Sequence, residues 1–197
     1  MRRAVSILGV VVLGAAPLLF AGDFAVAQTN ACLSQTGGEF LTGGGFIVNA
    51  TGGTPGEHAN FGVGGACRPG GDGHILWGHL EYIDHGVGLN VHWMTITAYL
   101  PDPAGDLNAR VICGTATTNL YGTADFVVRA ADDGQPGKGV DHFDIAVVGT
   151  GTYNTFTGGF PHVLVGGNIV LHNPNPAGPF GGQCPLLNLV PVSDLPD

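Results

Sequence analysis

A chain of 197 residues with 44% hydrophobic residues and a formal net charge of −9 can bury a sizeable core. Its negative field repels phosphate backbones, which argues against nucleic acid as a partner. The 35 glycines follow no Gly-x-y period, which excludes collagen.

The first expected element is a leader. Met1-Arg2-Arg3 is a short positive start, an apolar run extends from Ala4 to about Gly22, and Ala25-Val26-Ala27 precedes Gln28 as a small-x-small cleavage site. This order predicts a signal peptide over 1–27 rather than a retained anchor. Losing Arg2, Arg3 and Asp23 with it leaves 4 basic and 14 acidic residues. No second apolar run of about twenty residues follows, so the mature chain is expected not to span a membrane. Cys32 lacks a Leu-x-x-Cys lipobox, so no lipid anchor is expected. The destination is extracellular or periplasmic, the cell surface included. In such a compartment Cys32, Cys67, Cys113 and Cys184 form two disulfides, with three pairings open. Cys32 with Cys67, closing the N-terminal segment, is the expected one.

Short apolar runs with a period of two follow, punctuated by glycine, as half-buried strands require. Phe46, Val48 and Ala50 mark the first; Ala59, Phe61 and Val63 the second; Leu76, Leu80 and Tyr82 the third. Leu89, Val91 and Trp93 open a fourth that runs through Thr97 and Tyr99. Val111, Cys113, Thr115 and Thr117 make a fifth, Phe126, Val128 and Ala130 a sixth, and Phe143, Ile145 and Val147 a seventh. Val163, Val165, Ile169 and Leu171 make the last. No mature segment carries a 3.6-residue apolar period, so crossover helices for a parallel sheet are lacking. The fold class expected is all-β, an antiparallel β-sandwich or flattened barrel of about eight strands. It occupies 28–172, with a Pro-rich C-terminal tail over 173–197. Asp132-Asp133-Gly134-Gln135-Pro136-Gly137-Lys138-Gly139 reads as a hairpin loop, since proline fixes φ and glycine tolerates positive φ.

Several motifs recur in a fixed order: Gly43-Gly44-Gly45-Phe46-Ile47, Ala59-Asn60-Phe61-Gly62, Gly78-His79-Leu80-Glu81-Tyr82-Ile83-Asp84-His85 and Leu89-Asn90-Val91-His92. Gly114-Thr115-Ala116-Thr117, Asp133-Gly134-Gln135-Pro136-Gly137, Asp141-His142-Phe143-Asp144-Ile145 and Gly166-Gly167-Asn168-Ile169-Val170-Leu171-His172 complete the set. Over 41–172 this resembles the bacterial post-COAP-1 domain. The resemblance implies an exported β domain with no assigned activity. It also leads one to expect an Asn-Gly turn after the fifth strand, where this chain has Asn119-Leu120-Tyr121-Gly122.

No catalytic constellation emerges. The mature chain has only Ser34 and Ser193, near its ends and outside any Gly-x-Ser-x-Gly, which removes the serine hydrolase pattern. Gly149-Thr150-Gly151 lacks the third glycine and the helix of a dinucleotide loop. His79-Leu80-Glu81 matches half of a zinc deaminase signature, but Pro-Cys-x-x-Cys is missing. His79 and Glu81 share one strand face, and with His92, and His85 at the turn, they offer imidazoles and a carboxylate to zinc or a similar ion. The competing reading is a polar sheet face. Asp132, Asp133, Asp141 and Asp144 frame the long loop and offer oxygens to calcium; the competing and preferred reading is that they cap their own turns. Asn168 and His172 share a face of the last strand as a polar ladder. Asn49-Ala50-Thr51 is a glycosylation sequon. The function expected is a non-catalytic secreted or cell-surface structural or interaction domain facing a protein, glycan or matrix partner. The alternative is an ion-binding module, or an enzyme built on the histidine strands or the acidic loop.

Overall fold

The computed structural model describes residues 32, 38–48, 50, 56–70, 73–157 and 160–192. The expected leader over 1–27, Ser34, Asn49 and Ser193 lie outside them. The apolar alternation forms antiparallel strands β1 (Phe40–Val48), β2 (His58–Gly70), β3 (Gly73–Asp84), β4 (Leu89–Pro101), β5 (Ala109–Thr118), β6 (Gly122–Ala131), β7 (His142–Val148), β8 (Thr152–Asn154), β9 (Gly166–His172) and β10 (Gly181–Gly182). Nine follow one path, β8-β7-β6-β5-β4-β3-β2-β1-β9, while β10 pairs with β4.

The path is a meander, with each strand hairpinned to the next, until β9 returns to lie beside β1. The right-handed twist of strands curls such a sheet. Its two ends approach through residues 162–165. Leu164 N–H donates to Asp141 C=O at 2.8 Å and Val165 N–H to Phe46 C=O at 3.0 Å, while Val163 bridges His142. The result is a flattened barrel. Among the described residues no helix is long and apolar enough to cross a membrane.

Inward side chains fill the barrel: Leu41 and Ile47 of β1, Phe61 and Val63 of β2, Leu80 and Tyr82 of β3, Val91 of β4, Ile112 of β5, Phe126 and Val128 of β6, Phe143 and Ile145 of β7, Ile169 of β9. Phe61 and Phe143 stack across it with ring centroids 3.8 Å apart. The inward positions of β1 differ from the sequence expectation. Phe46 and Val48 face outward and half-buried, and Leu41 and Ile47 are the core residues, because β1 starts at Phe40 and its middle is three glycines. Val163 and Val165 likewise precede β9 as exposed residues. Gly167, at φ +107°, sits against the carbonyl of Gly44 so closely that a β-carbon would collide with it; glycine alone permits this approach of β9 to β1.

The turn after β5 is a three-residue loop, Asn119-Leu120-Tyr121, ending at Gly122 with φ +67°. Gly122 supplies the left-handed residue that short hairpin loops of this kind use, so the hairpin closes without an Asn-Gly pair. Thr118 Oγ1 accepts the Tyr121 N–H at 2.7 Å. Asn119 accepts the Asn90 N–H at 2.7 Å and donates to Gly88 C=O at 2.7 Å, joining two hairpins.

Two disulfides are present: Cys32–Cys67, as expected, and Cys113–Cys184. The second pins the tail to the outside of β5. There the outward residues Ala98, Val111, Cys113, Val127 and Ala146 form a second hydrophobic cluster with Phe156, Cys184 and Val190. The tail supplies β10 and a short 3-10 helix, Leu187–Leu189, so it covers sheet as well as extending from it.

Candidate functional site

The interior ionisable groups are engaged in structural bonds. Arg110 and Glu39 are both 1% exposed and form a two-pronged pair, Nε to Oε1 at 2.6 Å and Nη2 to Oε2 at 2.7 Å. Tyr99 donates to the same carboxylate at 2.9 Å, and the backbone N–H of Asn175 does so too. Burial disfavours the Arg110 cation, but its bonds to Glu39 outweigh this and raise its pKa. Tyr82 and Tyr153 share a hydrogen bond of 2.6 Å, and Tyr153 donates to Asp84 at 2.6 Å. Burial pushes the phenols of Tyr82, Tyr99 and Tyr153 upward, so all three stay neutral. Arg129 is held by Asp102 and Asp106 at 3.0 and 2.7 Å.

The four loop aspartates have separate duties at the barrel seam. Asp141, fully buried, accepts the N–H groups of Asp133 and Gly134 on Oδ1 at 3.0 and 3.2 Å and that of Ile169 on Oδ2 at 2.7 Å. Asp132 accepts the Leu171 N–H at 2.9 Å. These two carboxylates therefore take up two N–H groups on the outer edge of β9, which no described strand pairs. Asp133 binds His142 Nδ1 at 2.7 Å. Burial acts to raise its carboxyl pKa, but the bond and charge of His142, with Asn108 and Arg129, hold it below the usual carboxylate range. Asp144 binds His162 Nδ1 at 2.6 Å and Thr155 Oγ1 at 2.8 Å. The loop that reads as a calcium candidate thus closes a barrel. Among the described residues, no three His, Cys, Asp or Glu side chains are arranged to hold a metal ion.

The histidine strands divide in the same way. Glu81 and His92 are cross-strand partners on β3 and β4, and His92 Nδ1 lies 2.5 Å from Glu81 Oε1. His79 instead lies over Gly64, edge-on to Trp77. His85 bonds Asn60 Oδ1 at 3.1 Å. Asn168 accepts the Gly137 N–H at 2.6 Å. His172 stacks on Phe40 at 4.1 Å and bonds Thr42 at 3.0 Å, so this ladder is half-buried and tied to its neighbours.

Around the Glu81–His92 pair no described residue covers the outside of the sheet. A hollow of about 440 Å³ is lined by Phe46, Asn60, Gly62, Glu81 and Ile83, with Gly45, Phe61, Gly166 and Gly167 as its floor. A second, of about 380 Å³, shares Glu81 and Ile83 and continues past Asn90 and His92 to Thr117 and Asn119. The two hollows adjoin along Glu81 and Ile83, and taken together this furrow runs across β9, β1, β2, β3, β4 and β5. Phe46 is held by stacking on His58 at 4.2 Å. The face continues along β2 and β3 to Arg68, which lies 3.9 Å over Trp77.

Asn60, Ile83, Phe46, Asn90 and Thr117 did not stand out in the sequence. One signal was there: in a hairpin turning at 85–88, Glu81 and His92 are equidistant from the turn and must oppose each other. The composition of β1 and β2 gives no comparable pointer: of their furrow positions, Gly45 and Gly62 carry no side chain, and no hairpin symmetry singles out Phe46 or Asn60.

No family model matches the chain, and no curated relative or solved structure does. The likeness to the post-COAP-1 domain rests on the motifs quoted above.

Proposed function

We propose that the protein is a non-catalytic secreted or cell-surface interaction domain, and that the bare furrow around Glu81 and His92 is its recognition face. The observation that carries this reading is the contrast within one sheet. Strong polar groups in the barrel are spent on structure, whereas Glu81 and His92 are about half or more exposed, at 52% and 69%, on a surface that no described residue covers. Two disulfides and the aspartate bonds to the β9 edge brace the frame behind such a face, and braced frames lose little entropy on binding. The post-COAP-1 likeness, an exported domain without assigned activity, agrees with it.

The test is co-sedimentation of the oxidised protein with insoluble cell-wall and extracellular-matrix material. A β-carbon added at Gly62 would meet nothing within 4 Å, so Gly62→Tyr starts without a backbone clash and its ring is expected to fill the furrow. Binding by the native protein that Gly62→Tyr abolishes is the expected outcome. Equal retention of both proteins, or of neither, would sink the assignment of this face.

A further inference from the structure

Resting on that reading, we infer that the occupant of the furrow is a neutral polysaccharide chain lying across the strands. The length suits a polymer: six strands set five spacings apart span ~24 Å. The furrow is open along this length, unlike the enclosed clefts that take small ligands.

The lining selects among polymers. Asn60, Asn90, Glu81, His92 and Thr117 mix donors and acceptors. Sugar hydroxyls, each a donor and an acceptor, are the groups such a mixture suits. Phe46 and Ile83, the latter 41% exposed, supply apolar surface for the C–H faces of sugar rings. No lysine or arginine lines either hollow, and the chain carries a net charge of −9, so anionic glycans meet no counter-charge. The one carboxylate, Glu81, already faces His92, so the furrow lining offers a basic partner no unpaired carboxylate.

Peptides fit less well. At the furrow's own residues β1 to β5 pair on both sides, and two N–H groups of the outer β9 edge are taken by Asp132 and Asp141, so the furrow leaves little backbone edge for an added strand. A docked amphipathic helix needs a row of apolar pockets, and between Phe46 and Thr117 the furrow offers Ile83 flanked by polar groups.

The experiment is affinity electrophoresis of the oxidised protein through native gels containing soluble neutral polysaccharides: a cellulose ether, a galactomannan, a dextran and a β-1,3-glucan. Heparin is the anionic comparison. Retardation by at least one neutral polymer is expected. Gly62→Tyr should weaken it about tenfold or more, the effect of losing about 1.4 kcal/mol of contact, and Asn60→Ala and Glu81→Gln should weaken it less. Thermal midpoints of the three variants are checked first, so that a folding defect is not read as lost binding. Retardation by no neutral polymer, by heparin alone, or equally for Gly62→Tyr overturns the inference.

A companion arm separates this from the broader reading. The co-sedimentation is repeated with matrix treated by periodate, which destroys vicinal diols, or by protease. Loss after periodate supports the glycan. Loss after protease alone, still sensitive to Gly62→Tyr, overturns the glycan and leaves the face as a protein-binding one.

Discussion

The two halves of the outer sheet surface are built from the same pleat and end in opposite states. Over β5, β6 and β7 the outward residues Val111, Cys113, Val127 and Ala146 are as buried as the inward ones, because the tail and Phe156 lie on them. Over β1, β2 and β3 the outward residues are Phe46, Gly44, Asn60, Gly62, Glu81 and Ile83, and no described segment lies on them. A strand buried on both faces reads as an unbroken apolar run, and one buried on a single face alternates. Val111-Ile112-Cys113 and Phe126-Val127-Val128 are of the first kind; His79-Leu80-Glu81-Tyr82-Ile83 is nearer the second. Over β1 to β3 the outward face carries glycine and half-exposed charge and is left free, and it is there that the recognition face is proposed.

The largest effect should come from the anchor of the covered half. Glu39 holds Arg110 and Tyr99, and takes an N–H from Asn175 where the tail begins; the Phe180 ring lies 5.2 Å from the Arg110 guanidinium. Glu39→Ala strands a buried cation, so a loss of about 3–5 kcal/mol is expected in denaturant unfolding. A loss under about 1 kcal/mol would mean that the tail is not locked by this pair. Next is Cys113→Ala with Cys184→Ala. Their bridge spans 71 residues, and its removal should cost about 2–5 kcal/mol. Dye binding to exposed apolar surface should rise, since the second cluster loses its lid. If the furrow half is independent of the lid, polysaccharide retardation should survive in this variant.

The comparison sharpens with a matched pair of substitutions. Val127 and Ile83 are both outward and apolar, at 0% and 41% exposure. Val127→Ser buries a hydroxyl and leaves a void, costing about 2 kcal/mol or more. Ile83→Ser should fall within about 0.5 kcal/mol. Equal costs would show that the furrow face packs against something in solution, a second copy of the chain included.

The barrel was legible because in β2, β3, β6 and β7 the inward residues repeat with a period of two, whereas in β5 the alternation read from the sequence, Val111 and Cys113, lies outward under the tail and Ile112 faces inward. Legibility failed where side chains vanish or contacts are long-range. β1 is nearly all glycine between Thr42 and Phe46, so its register could not be read from apolar residues. β8 and β10 have three and two residues, too few to carry a period, and exist because of tertiary pairing. The acidic loop announced its carboxylates and their turn-capping role, seen where Asp141 accepts the Asp133 and Gly134 N–H groups, but not their bonds to Ile169 and Leu171 across the barrel seam. The Glu81–His92 pair was legible from hairpin symmetry. Asn60 and Phe46 enter the furrow only once β2 is known to lie between β1 and β3.

The smallest effect concerns the seam itself and its dependence on pH. Asp133 is held below the ordinary carboxylate value of 3.8 by His142, against the opposing pull of burial. A carboxyl whose pKa is lower in the folded chain stabilises the fold above its unfolded value, and loses that contribution as pH falls through the folded one. Asp133→Asn should therefore lower the thermal midpoint at about pH 6 by a small amount, since the pair is partly exposed. The deficit should shrink between about pH 4 and pH 2, where the native carboxyl is itself protonated. A deficit that persists unchanged at the acid end would assign the role of Asp133 to shape or to its neutral hydrogen bonds. One that grows on acidification would reverse the sign and overturn the ionic account of the His142 contact. Because the Asp133 N–H donates to Asp141, the Asn variant keeps that backbone bond intact, so any pH-dependent part belongs to the side chain.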